Sequence, residues 1–232
     1  MPRPRVLLIS YAAVAVVQVL SQALSLQPLV VLTKPLLMPL LAAYLVAVSP
    51  RPFHRMVRLV LGALAFSWLG DMLLETSRAF DGDGLFLGGM GAFLLAHVLY
   101  IVAFTPVVRA GTPPRPPLWA LLYVLYGAVM VGAVGSTLGS FLLPVTLYAV
   151  AICTMGIVAS GVNVWTAAGA AAFVLSDSLI MLSQDLADAL PFEFSLQRAL
   201  VMSTYVVAQA LIVYGVVLEQ RLIWARETAD EG

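Results

Sequence analysis

Two aspartates lie inside long apolar runs, Asp71 in Phe66-Ser67-Trp68-Leu69-Gly70-Asp71-Met72-Leu73-Leu74-Glu75 and Asp177 in Leu175-Ser176-Asp177-Ser178-Leu179. A carboxylate in hydrocarbon costs several kcal/mol unless it is paired or used, so each acid marks a candidate site. A carboxyl group with apolar neighbours holds its proton and is able to donate it, whereas one with hydrogen-bond donors nearby stays ionised and stabilises a cation or steers water. On that basis Asp71, beside Leu69, Gly70 and Met72, reads as the acid, and Asp177, between Ser176 and Ser178, as the carboxylate, with the reverse assignment left open by the sequence. Such a pair suits cleavage through an oxocarbenium-like state. Glu75 follows Asp71 by one helical turn and shares its face. His97 and Tyr100 sit three apart, where both reach toward one acid. Arg198, Met202, Tyr205 and Gln209 form a stripe at spacings of four, three and four. Lys34 and Arg198 supply cationic donors suited to a phosphate, or equally to lipid headgroups by snorkelling.

Other chemistries fit less well. With only two histidines, His54 and His97, a tri-His zinc site is excluded, and His97 with Asp71 and Asp177 is the metal alternative. The two-acid reading calls for no metal and no organic cofactor. Gly88-Gly89-Met90-Gly91 lacks the Lys-Ser/Thr of a phosphate loop and suits close helix packing instead. Ser176 and Ser178 are not in a G-x-S-x-G elbow. The single Cys153 forms no intramolecular disulfide and reads as a packing residue. Twelve basic against twelve acidic residues leave no net charge to attract nucleic acid.

The elements that must hold these residues are membrane helices. At 62% hydrophobic residues, 10% charged residues and a mean hydropathy of +1.00, the chain falls outside the soluble globular range. A span needs about 20 mostly apolar residues. The sequence divides into eight such stretches within one transmembrane domain, residues 1–232: about 6–26, 33–49, 58–76, 86–108, 118–134, 141–160, 164–182 and 194–224. The fold class is therefore an all-α bundle of eight transmembrane helices. Thr33 is expected to cap the second helix with Pro35 in its first turn. The first stretch reads as an uncleaved helix because its apolar core is long. With the N-terminus cytoplasmic, nine cations (Arg3, Arg5, Arg51, Arg55, Arg58, Arg109, Arg115, Arg221 and Arg226) fall inside. Arg78 and Arg198 fall outside, with Lys34 near that outer mouth. This split supports both termini being cytoplasmic. The pattern Leu-[Gly/Ser]-Asp-x-Leu on helices three and seven, four spans apart, hints at a duplicated four-helix unit.

Five motifs occur in order along nearly the whole chain: Thr33-Lys34-Pro35, Leu69-Gly70-Asp71, Ala96-His97-Val98-Leu99-Tyr100, Phe173-Val174-Leu175-Ser176-Asp177-Ser178, and Tyr205 with Ala208-Gln209. Together they resemble the YhhN-type lysoplasmalogenase family. The resemblance implies hydrolysis of the vinyl ether bond of a lysoplasmalogen in the cell membrane, with the ether lysophospholipid and the bilayer as partners. It carries Lys34, Asp71, His97, Tyr100, Ser176, Asp177, Tyr205 and Gln209 as site positions, and says nothing of the oligomeric state. The competing reading is a proton- or cation-coupled transporter, or a lipid-binding protein, using the same acids.

Overall fold

Unbroken apolar segments leave the backbone no hydrogen-bond partner in a membrane except itself, and helices result. The computed structural model describes residues 4–80, 83–111, 118–185 and 194–230. The helices are α1 (Pro4–Ala23), α2 (Gln27–Val48), α3 (Arg55–Phe80), α4 (Asp83–Gly111), α5 (Leu118–Val134), α6 (Leu142–Ser160), α7 (Val164–Asp185) and α8 (Phe194–Asp230). A 3-10 turn, Gly139–Phe141, precedes α6, and no strand occurs among the described residues. Among the described residues seven helices are long and apolar enough to cross a membrane, and α5, at 17 residues, is the short one. Arg3, Asp81, Arg115, Asp188 and Glu193 lie outside the described residues.

The largest departure from expectation is α2, which begins at Gln27, six residues before the expected start at 33. Pro28 occupies its first turn, so Thr33-Lys34-Pro35 is mid-helix and Thr33 is not a cap. The Thr33 hydroxyl instead donates to the Leu29 carbonyl at 2.7 Å. Pro39 has no N–H for the Pro35 carbonyl one turn before it. Trp68 Nε1 of α3 donates to that carbonyl at 3.0 Å, which ties α3 to α2 and satisfies the acceptor that Pro39 leaves open. At α7 the start agrees with expectation, because the Asn163 side chain accepts from the N–H groups of Trp165 and Thr166. α1 ends at Ala23, earlier than expected, at a turn in which Ser25 has φ 54°. The 37 residues of α8 make a rod of about 55 Å, longer than a hydrocarbon core, and its Glu227 pairs with Arg51 beyond α2.

Arg198 Nη2 donates to Ser25 Oγ at 3.1 Å, and Gln220 Nε2 meets His54 Nδ1 at 3.0 Å. These contacts define a Ser25 end and a His54 end of the bundle. α8 runs from the first to the second, antiparallel to α1, whose Tyr11 hydroxyl donates to the Val206 carbonyl at 2.7 Å. Consecutive helices pack in the hairpins α1/α2, α3/α4, α5/α6 and α7/α8. α2 packs on α3 and α8, and α6 packs on α7 and α4, so the adjacency repeats when every helix number is advanced by four. The repeat is broken at two places among the described residues: α1 lies along α8 while α4 and α5 make no comparable contact, and α5 touches α7 while α1 and α3 make no comparable contact. Small residues permit the tightest crossings. A Cβ at Gly70 would lie 2.6 Å from the Phe93 ring, and one at Gly169 would lie 2.8 Å from the Ala208 carbonyl oxygen.

Candidate active site

Asp71 on α3 is 6% exposed and has partners from two other helices. Its Oδ2 accepts from the Tyr205 hydroxyl of α8 at 2.8 Å, and its Oδ1 lies 3.7 Å from Lys34 Nζ of α2. Lys34, 5% exposed, also donates to Glu75 Oε2 at 3.0 Å. Glu75 further accepts from Gln27 Nε2 at 3.1 Å and from Arg78 Nη1 at 3.4 Å. The one-turn spacing of Asp71 and Glu75 lets a single ammonium serve both carboxylates. Lys34 is thus held by acids at the heart of the site, and its α2 position reflects the helix continuing past Thr33.

Asp177 on α7 has a different environment. The Tyr148 hydroxyl of α6 donates to its Oδ2, and His97 Nε2 of α4 lies 3.8 Å from the same oxygen. His97 is fully buried, with the Phe173 and Tyr148 rings at centroid distances of 4.9 and 5.3 Å. Its Nδ1 lies 2.6 Å from the Phe93 carbonyl, an acceptor only, so Nδ1 carries the proton. In the neutral ring Nε2 then has a bare lone pair facing Asp177, and it makes no hydrogen bond in this structure. The flanking serines do not bond Asp177, contrary to expectation. Ser176 Oγ donates to the Val201 carbonyl at 3.0 Å, and Ser178 Oγ donates to the Val174 carbonyl at 2.6 Å while accepting from Tyr126. A short hydroxyl on a helix is satisfied by the nearest carbonyl before it reaches a neighbouring side chain.

Tyr100 and Gln209 are brought together but away from the acids. The Tyr100 hydroxyl donates to Gln209 Oε1 at 2.6 Å, and Gln209 Nε2 donates to Ser67 Oγ at 3.1 Å. This chain ties α4, α8 and α3 one turn from Asp71 and Tyr205.

Two cavities meet at Asp177. One, of about 500 Å³, is lined by polar side chains that include Lys34, Asp71, Ser176, Asp177, Arg198 and Tyr205. The other, of about 570 Å³, runs between α4, α5, α6 and α7 and is mostly apolar, lined by Met90, Met130, Ile152 and Val174 among others. Asp177 lies in the wall common to both, with Leu74, Arg78, Phe93 and Ile180. Sequence reasoning missed Tyr148, Tyr126 and Arg78. The first two were visible only as phenols in otherwise uncharged helices, and Arg78 as a cation one turn beyond Glu75. No group of three or more His, Cys, Asp or Glu side chains converges among the described residues.

The fold and site define an all-α membrane bundle in which a polar chamber holds a buried Asp71 and shares a part-buried Asp177 with an apolar chamber. The chain belongs to the YhhN family, whose sequence profile matches residues 29–216. It is 35% identical over 152 residues to a lysoplasmalogenase of Mycobacterium bovis, covering 61% of this chain and 54% of that one. It is 31% identical over 175 residues to the lysoplasmalogenase TMEM86B of Homo sapiens, covering 74% of this chain and 68% of that one. The chain spans about half the length of the mycobacterial relative it matches. No solved structure matches.

Proposed function

We propose that the protein is a membrane-embedded hydrolase that cleaves the vinyl ether bond of lysoplasmalogens, releasing a fatty aldehyde and a glycerophospho-base. The observation that carries this reading is the position of Asp177, in the wall shared by a charged chamber and an apolar one. A lysoplasmalogen has its vinyl ether at the same junction, between a phosphodiester headgroup and one hydrocarbon chain. The relatives' names, both lysoplasmalogenases, point the same way.

The proposed reaction begins with proton transfer from one carboxyl group to the vinyl carbon distal to oxygen, which gives an oxocarbenium ion. Water adds to the carbon bearing oxygen and loses its proton to the carboxylate just formed. The hemiacetal then collapses to aldehyde and alcohol, so all protons are returned. The neighbours of the two acids support the reverse of the roles suggested by the sequence. Asp71, beside the Lys34 ammonium and accepting from Tyr205, is suited to remain the carboxylate facing the cation. Asp177, with a phenol and a neutral imidazole beside it, is suited to give and regain the proton. His97 Nε2 offers a further proton acceptor to that group. Arg198 and Arg78, both lining the charged chamber, are the donors for the phosphodiester. Lys34, engaged by Asp71 and Glu75, sets the charge of the site.

The protein is placed in the cell membrane, and the cation distribution supports both termini being cytoplasmic. The test is incubation of the purified protein with a lysoplasmalogen and with its saturated ether analogue. Aldehyde from the first alone is expected. Intact substrate together with lipid-dependent proton flux in liposomes would instead establish the transporter reading.

A further inference from the structure

The apolar chamber has a definite floor. Ala149, Ile152 and Cys153, at spacings of three and four, line it from one face of α6 and look across to Gly127 and Met130 of α5. At Gly127 the helices are so close that a Cβ would lie 2.9 Å from Cys153 Sγ. One turn farther toward the His54 end the crossing is tighter still, where a Cβ at Gly156 would lie 2.5 Å from the Tyr123 ring. Tyr123 and Gly156 do not border the chamber. At the Ser25 end Phe86 of α4 and Phe141 narrow it, their rings meeting edge to face at 6.3 Å. The adjoining charged chamber is unfavourable for a second chain, because hydrocarbon there would strip water from Lys34, Asp71 and Arg198.

We infer that the apolar chamber is a blind compartment for one alkyl chain, and that its α5–α6 floor, Gly127 against Cys153, sets the longest chain the protein accepts. The inference rests on the reading of the site as one for a single-chain ether phospholipid. Ala149 and Ile152 stand on the wall just above the floor, so side-chain size at these positions changes the room left for the end of the chain. Favourable burial accumulates with every methylene that fits and turns unfavourable once the chain must displace the wall.

The test uses the full chain in nanodiscs, with alkenyl lysophosphoethanolamines of twelve and eighteen carbons as substrates and the matching saturated ether lysolipids as uncleavable ligands. Ala149→Phe is expected to raise the ratio of short-chain to long-chain turnover by about tenfold, and Ile152→Ala to lower it by about threefold. Ratios of binding constants for the saturated lipids are expected to shift the same way. A ratio is unaffected by the fraction of folded protein, so partial misfolding of either variant does not obscure the result. Shifted binding ratios with no aldehyde from any chain would uphold the compartment and overturn the cleavage reading. Unchanged ratios in both variants would overturn the compartment, because the chain then extends elsewhere, whether or not aldehyde forms. A wild-type protein that neither binds nor cleaves these lipids would overturn both.

Discussion

At the residue scale, the two acids differ in what surrounds them. Asp71 has an ammonium and a phenol, and Asp177 has a phenol and an imidazole lone pair. Asp71→Asn and Asp177→Asn are each expected to lower aldehyde release by about a hundredfold or more, read by aldehyde trapping on protein that still elutes as a folded species. Tyr148→Phe removes the phenol that orients Asp177 without touching the Arg78 and Arg198 side of the site. A fall of about tenfold in kcat with KM nearly constant is expected, the size of one lost hydrogen bond to the carboxylate that Asp177 becomes on giving up its proton. A KM effect alone would count against that role. Lys34→Met leaves Asp71 and Glu75 facing each other, and is expected to destabilise the fold by about 3 kcal/mol. The melting temperature in detergent reads this, and Lys34→Met combined with Glu75→Gln should recover part of the loss. Asp71, Asp177 and Lys34 were legible because charge in an apolar run has few explanations. Tyr148 was not, since a phenol in a helix gives the same sequence pattern whether its hydroxyl meets lipid headgroups or a buried acid.

At the element scale, helix existence was readable and helix phasing was less so. A Thr-Lys-Pro tripeptide looks like a helix start, and in α2 that start is at Gln27 because Pro28 serves it. What compensates for Pro39 inside α2 is Trp68 on α3, a tertiary hydrogen bond that no local pattern contains. Glycine lets α3 close on α4 and α7 close on α8. Gly169 shows the demand most plainly, as the obstacle to a side chain there is the Ala208 carbonyl oxygen and the Ile212 backbone nitrogen, both 2.8 Å from its Cβ position. Gly169→Val is accordingly expected to cost about 2 kcal/mol by forcing α7 and α8 apart, measured as a lowered melting midpoint. A midpoint equal to wild type would show that this crossing is looser than described.

At the scale of the whole molecule, the bundle reads as two similar halves whose symmetry fails where it is most useful. In the first half Asp71 meets Lys34 of α2 and Tyr205 of α8; in the second, Asp177 meets Tyr148 of α6 and lies close to His97 of α4. Advancing the helix numbers by four maps one set onto the other. The packing of α1 on α8 has no counterpart between α4 and α5, and the apolar chamber occupies that gap. Orientation can be checked in a Cys153→Ala background with single cysteines at Ser25 and at Phe53. Membrane-impermeant thiol reagent added to intact cells is expected to label the first and spare the second, and the opposite pattern would reverse the topology. Composition and spacing alone determined that the chain is an all-α membrane bundle and that two acids in it call for an explanation. Those conclusions need only transfer free energies, which are properties of residues and short segments. Which acid lies beside the cation, which tyrosines serve them, and that a charged and an apolar chamber share Asp177 as a wall were decided by tertiary structure alone. They depend on contacts between helices far apart in the chain, where closeness is set by packing and leaves no local mark in the sequence.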